Sequence, residues 1–276
     1  MNKWQSSNVE GNGIHLHITR TGRNKPPLVL AHGVTDDGLC WSPVAEALAA
    51  DYDVIMVDAR GHGQSDAPES GYDLVTLVND LHGVIQALGL NKPLVMGHSL
   101  GAVTTLVMAA LYPDLPRAIV LEDPPGWWVK LPASESLQRA NGFREWATRL
   151  KSMTRQQIFE EGRAQNPLWS DAELDPWADS KVSLNVNTIR NIFNSNHAAA
   201  IVWKKTLQRV SCPVLVVTAD LSRGAALTPA GVEALRTLIP HLQVEHIPDA
   251  GHSIRREQFV HYMEVVRTFL ANIPAA

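Results

Sequence analysis

Apolar residues in this chain fall into short unbroken runs bounded by Pro and Gly, separated by longer stretches of helical period. The runs are Pro27–Gly33, Tyr52–Gly63, Pro93–Ser99, Ala118–Pro125 and Pro213–Asp220, with a weaker one over Leu242–His252. Continuous runs of this length fit strands buried on both faces of a parallel sheet. Ile14–Ile18 alternates apolar residues with His15 and His17 and reads as a half-exposed strand. Between the runs, Trp41–Ala50, Leu74–Leu88 and Ala102–Leu111 read as helices. In the second of these, Leu74, Leu77, Val78, Leu81, Val84, Ile85 and Leu88 share one face. Strand alternating with helix predicts an α/β domain with a mostly parallel central sheet flanked by helices.

The rhythm breaks at Pro124 and resumes near Ser211. The intervening stretch is polar, reads as helical pieces, and holds Trp127, Trp128, Trp146, Trp169, Trp177 and Trp203 of the chain's eight tryptophans. The expected organisation is a core made of residues 1–123 and 211–276, with a helical insertion over 124–210. A last amphipathic helix is expected over Arg255–Leu270.

Ser99 lies in Gly97-His98-Ser99-Leu100-Gly101, between a buried strand and an apolar helix. A serine hydroxyl is a weak nucleophile and needs a base and oxyanion donors. A sharp strand-to-helix turn meets both needs, because small flanking residues expose the hydroxyl and the helix N-terminus points free N–H groups at it. The base is expected to be His252, in the loop after the last strand run, since such loops gather with Ser99 on one rim of a parallel sheet. The orienting acid is expected at a strand end on the same rim. Asp220 is preferred, with Asp123 or Glu122 as rivals. Leu100 N–H supplies one oxyanion donor. The loop Ala31–Gly38 supplies the other at Val34, with Gly33 allowing close approach. Asp36 and Asp37 in that loop read as solvated or turn-forming.

Gly-His-Ser-Leu-Gly, the upstream His32-Gly33 loop, Asp58–Asp66 (DARGHGQSD) and the order Ser99, Asp220, His252 together resemble the α/β-hydrolase fold family over nearly the whole chain. The resemblance implies Ser99 as nucleophile, His252 as base, Asp220 as acid, Val34 and Leu100 as oxyanion donors, and the insertion as a cap. One departure touches the acid: Ala219 stands where many relatives carry glycine. A serine rather than an aspartate at the turn points to acyl transfer and away from dehalogenase or epoxide hydrolase chemistry. The short His-Gly-Val loop points away from esters of bulky tertiary alcohols.

Trp127 and Trp128 follow a strand end on the rim and are expected to line the substrate pocket, which favours an apolar or aromatic substrate. The expected activity is cleavage of a small carboxylic ester, lactone or thioester. A small-molecule receptor of the same fold and a serine-dependent carbon–carbon hydrolase or perhydrolase are the alternatives.

Composition narrows the rest. The 276 residues are 45% hydrophobic and 19% charged, with net charge −4 and no basic stripe, so no nucleic-acid partner is expected. No Cys-x-x-Cys, His-Glu-x-x-His or Gly-x-Gly-x-x-Gly pattern calls for a metal or dinucleotide, and no cofactor is expected. Cys40 and Cys212 read as buried, reduced thiols. The N-terminus lacks an apolar signal segment, and no run is long enough to span a bilayer. The expectation is a cytoplasmic protein without membrane contact. Nothing in the pattern specifies an oligomeric state.

Overall fold

The computed structural model describes residues 4–129, 133–195 and 201–274, and of residues 133–140 the backbone only. The expected insertion over 124–210 thus includes residues 130–132 and 196–200, which lie outside the described ones.

Eight strands form one sheet: β1 (Gln5–Gly11), β2 (Ile14–Arg20), β3 (Pro27–Ala31), β4 (Asp53–Val57), β5 (Leu94–His98), β6 (Ala118–Glu122), β7 (Val214–Thr218) and β8 (Gln243–His246). Their order is β1-β2-β4-β3-β5-β6-β7-β8. β1 pairs antiparallel with β2, and β2 with β4; β4, β3 and β5–β8 are parallel. Every apolar run named above contains one of the strands β3–β8.

The period of two explains why the central runs are apolar throughout. Val29, Ile55, Val95, Ile119 and Val214 face one layer, packed by α2 (Leu74–Ala87), α3 (Leu100–Leu111) and α9 (Pro229–Leu238). Their neighbours Leu28, Leu30, Val54, Met56, Leu94 and Val120 face the other, packed by α1 (Ser42–Leu48), α10 (Ile254–Glu257) and α11 (Phe259–Ala271). The single terminal helix expected from the sequence is broken at Gln258, whose φ of −133° is not helical.

β1 has no counterpart in the sequence expectations, because Gln5–Gly11 is polar and almost wholly exposed. Its register comes from the two-residue turn Asn12-Gly13, both at positive φ. β1 in turn covers His17, which is buried rather than half-exposed and lies between Ser6 Oγ (2.6 Å) and Asp58 Oδ2 (2.8 Å).

Between β6 and β7 run α4 (Ala133–Leu150), α5 (Arg155–Gln165), α6 (Asp171–Ser183), α7 (Val186–Asn194) and α8 (Trp203–Leu207). The first four build a small apolar cluster of their own around Leu150, Ile158, Leu174, Trp177 and Ile189. Trp169 and Trp177 meet edge to face there, their ring centroids 5.8 Å apart. Among the described residues no helix is long and apolar enough to cross a membrane. Cys40 and Cys212 are free and buried.

Candidate active site

The site begins with the turn from β5 into α3. Ser99 sits at φ 53°, ψ −116°, a backbone conformation that L-residues rarely adopt and that costs about 1–3 kcal/mol. The surroundings enforce it. A Cβ on Gly97 would stand 2.3 Å from the Gly101 carbonyl oxygen, and one on Gly101 would stand 2.2 Å from that of Ala31. The two glycines let α3 lie directly against β5 and β3, which forces the chain up at Ser99.

His252 lies in the loop between β8 and α10. Its Nε2 is 2.9 Å from Ser99 Oγ. Its Nδ1 is 2.6 Å from Asp123 Oδ2, not from Asp220. Asp123 directly follows β6 at φ 40°, and this sharp turn sends its carboxylate under the imidazole. The carboxylate is fully buried and accepts backbone N–H bonds from Ala226 (2.7 Å) and Leu227 (3.0 Å). Strand order supplies the reason. β6 is the neighbour of β5, whereas β7 lies one strand spacing, about 4.8 Å, further away. A ring that touches Ser99 meets the aspartate at the end of β6 first.

Asp220 ties down the same loop from the other side. Its amide donates to Ala250 O (2.9 Å), and its carboxylate accepts from Asp249 N (2.9 Å) and lies 3.0 Å from His246 Nε2. The Asp249 N–H and then the His246 ring hold that carboxyl below its ordinary range.

His98 diverges from Ser99 and is buried. Its Nε2 lies 2.9 Å from the carbonyl oxygen of His252, to which it donates, fixing the loop that carries that ring. Burial, reinforced by the nearby Arg255 and His252 charges, pushes the His98 ring well below its ordinary value, so it stays neutral.

Val34, Ser99, Leu100 and His252 line one cavity of about 330 Å³. Trp127, Phe143, Ile192 and Phe193 complete most of its wall, with Phe143 and Phe193 stacked at 5.1 Å. The amides of Val34 and Leu100 donate to no protein acceptor among the described residues. Trp127, expected to line the substrate pocket, borders this cavity. Trp128 does not: its indole N–H donates to Gly231 O (2.8 Å), which turns the ring toward α9 and Trp203. A half-buried indole N–H needs an acceptor, and α9 provides one. Phe143, Ile192 and Phe193 carry no sequence signal, since they sit in polar helices far from the strand ends.

Asp36 and Asp37 are buried, contrary to the expectation of a solvated turn. Asp36 pairs with Lys181 of α6 (2.8 Å), Arg256 (2.9 Å) and Arg255 (3.6 Å), and Arg255 also pairs with Glu122 (2.9 Å). Burial opposes ionisation of Asp36, but the Arg256, Lys181 and Arg255 charges outweigh it and hold its carboxyl well below the usual range. Asp37 lacks such partners. Burial, with Asp58 and Asp36 nearby, pushes it up to about 7.

No group of three or more His, Cys, Asp or Glu among the described residues could hold a metal ion.

Residues 26–255 match the family model for the alpha/beta hydrolase fold. The chain belongs to that family and is a hydrolase. It is 30% identical over 249 residues to the N-formylmaleamate deformylase of Pseudomonas putida, covering 90% of this chain and 89% of the relative. Its fold is similar to that of E-2-(acetamidomethylene)succinate hydrolase (TM-score 0.80, 22% identity, 97% of this chain and 99% of the other). It is also similar to an esterase from Rhodococcus (TM-score 0.77, 25% identity, 99% and 100%).

Proposed function

We propose that the chain is a serine hydrolase that cleaves small, neutral, apolar carboxylic esters through an acyl-enzyme on Ser99. The observation that carries this reading is the unbroken chain Ser99–His252–Asp123, opening on an apolar cavity beside two amides that donate to no protein acceptor among the described residues. Ser99 Oγ attacks the ester carbonyl carbon while its proton passes to His252 Nε2. Asp123, held by two backbone N–H groups, keeps the ring oriented and stabilises the imidazolium. The oxyanion is met by the Val34 and Leu100 amides, the latter at the positive end of α3. Collapse of the tetrahedral adduct expels the alcohol, which takes the proton from His252. Water then attacks the acyl-enzyme with His252 as base, releasing the acid and restoring Ser99.

The substrate class follows from the walls. Among the described residues, no Asp, Glu, Lys or Arg side chain lines the cavity. A carboxylate buried there would lose its hydration without a partner. The inserted helices act as a cap in this reading, contributing Phe143, Ile192 and Phe193. A second reading, hydrolysis of an N-acyl amide, is favoured by the identity with the deformylase, and uses the same residues with an amine leaving.

The test is turnover of p-nitrophenyl esters of increasing chain length, beside an ester of equal size bearing a terminal carboxylate, by wild type and Ser99→Ala. Turnover of the neutral esters, abolished in a folded Ser99→Ala, is expected. A preference for the carboxylate ester would refute the substrate class. Binding without turnover would favour a receptor of this fold.

A further inference from the structure

The turn Gly33–Asp36 is closed by Asp36 N–H donating to Gly33 O (3.0 Å). Each carbonyl inside it also has a side-chain nitrogen within hydrogen-bond distance. His32 Nδ1 lies 2.8 Å from Gly33 O, His62 Nε2 lies 2.8 Å from Val34 O, and Lys181 Nζ lies 2.7 Å from Thr35 O. The Val34 N–H belongs to the same peptide as Gly33 O and points opposite to it, so holding Gly33 O aims the Val34 amide away from its holders; Thr35 O belongs to the peptide whose N–H, that of Asp36, closes the turn onto Gly33 O. Val34 borders the cavity that holds Ser99.

The two histidines belong to the core, but Lys181 comes from α6 of the inserted segment, 146 residues further along the chain. Nothing in its neighbourhood, Asp179-Ser180-Lys181-Val182, sets it apart from a solvated helix lysine, yet it is completely buried. Its three N–H bonds are all used, to Thr35 O, Asp36 Oδ1 (2.8 Å) and Ser180 Oγ (3.0 Å), and its ammonium lies 5.1 Å from the Trp177 ring centroid. Burying an ammonium is costly unless it is paired and hydrogen-bonded in full, and here it is both. Asp36 continues the connection to Arg256 and Arg255 behind His252, and Arg255 to Glu122 beside Asp123. One buried ion cluster joins the oxyanion loop, the base loop, the acid strand and the insertion.

We infer that Lys181 is a positioning residue: it fixes the oxyanion loop through Thr35 O and Asp36, so that the inserted helices tune transition-state stabilisation as well as the cavity wall. The inference rests on the serine hydrolase reading above. Lys181 touches no substrate; its effect reaches the oxyanion through the Val34 amide.

The experiment compares wild type, Lys181→Met and Lys181→Gln on an ester and on its thiono analogue, in which sulfur replaces the carbonyl oxygen. Sulfur is larger and a weaker acceptor, so the oxo/thiono rate ratio reports how well the donors fit an oxyanion. The ratio does not depend on the fraction of enzyme that is folded. Loss of one oxyanion donor lowers kcat by about 10²–10³-fold, so mispositioning one is expected to cost about ten- to hundredfold. Both variants should show that loss in kcat, KM within about threefold of wild type, and an oxo/thiono ratio reduced by a similar factor. An unchanged ratio in variants of an active wild type overturns the inference alone. A rise in KM without change in the ratio also overturns it, and makes Lys181 a strut of the cavity. A wild type that turns over neither ester overturns the serine hydrolase reading and this inference with it.

Discussion

Asp123 and Asp220 stand just past the ends of neighbouring parallel strands, and each pairs with a histidine, His252 at 2.6 Å and His246 at 3.0 Å. Their surroundings differ. The Asp123 side chain is fully buried and held by two backbone amides, whereas that of Asp220 is 30% exposed. The other ring nitrogen of His252 reaches Ser99 beside a cavity. That of His246 reaches Thr218 Oγ1 (3.2 Å), whose hydroxyl also lies 3.3 Å from a strand carbonyl. On the serine hydrolase reading proposed above, a His–Asp pair on the rim orients a proton path only where a nucleophile and a cavity meet the ring. Elsewhere the same pair staples a loop.

The largest effect that separates the two is on kcat. Asp123→Asn should lower ester kcat by about 10⁴-fold, because the imidazole loses both its orientation and its countercharge. Asp220→Asn should leave kcat within about fivefold and register instead as a lower Tm, since it loosens the loop at Asp249 and Ala250. Equal losses in the two variants would break the distinction.

A second pair sharpens it at the substrate end. Trp127→Ala removes an aromatic wall and should raise KM for apolar esters about tenfold, by the scale of apolar burial. Trp128→Ala should leave KM within about twofold and lower Tm, as its indole anchors α9. KM values and melting curves for both variants decide it.

The smallest effect concerns Asp37, a third aspartate, which is buried but has no histidine and no donor at Oδ1. Its carboxyl is pushed up to about 7, above the ordinary 3.8, so the folded state binds its proton more tightly than the unfolded. The stability this confers is present at low pH and is lost as pH rises through about 7. Asp37→Asn removes the titration. Its Tm relative to wild type should be higher at pH 8 than at pH 5, and a constant difference would contradict the assignment. His32 acts in the opposite sense. Burial, helped by His62, pushes it down to about 4 from 6.5, so the stability that comes from its neutral form is lost as pH falls from about 6.5 toward 4.

These contrasts explain what the sequence could reveal. Ser99 and His252 are legible because local patterns place them: a strand-to-helix turn with forced small residues, and a loop after a strand. The sheet is legible because burial on both faces leaves unbroken apolar runs. The choice between Asp123 and Asp220 is not local. It depends on which strand neighbours β5 and on residues 224–227 folding back to donate to one carboxylate. Lys181 and Asp36 are equally silent, since each reads as a surface residue until the partner, 145 positions away, arrives. β1 is missed because an exposed, polar edge strand carries no apolar signal.

The most direct test is labelling by a fluorophosphonate, which forms a stable adduct with an activated serine. The rate of labelling and the labelled residue would be measured for wild type, Asp123→Asn and Asp220→Asn. One label on Ser99 is expected, formed at nearly the wild-type rate in Asp220→Asn and several orders of magnitude more slowly in Asp123→Asn. A label elsewhere, or slow labelling in Asp220→Asn with Asp123→Asn unaffected, would contradict the account.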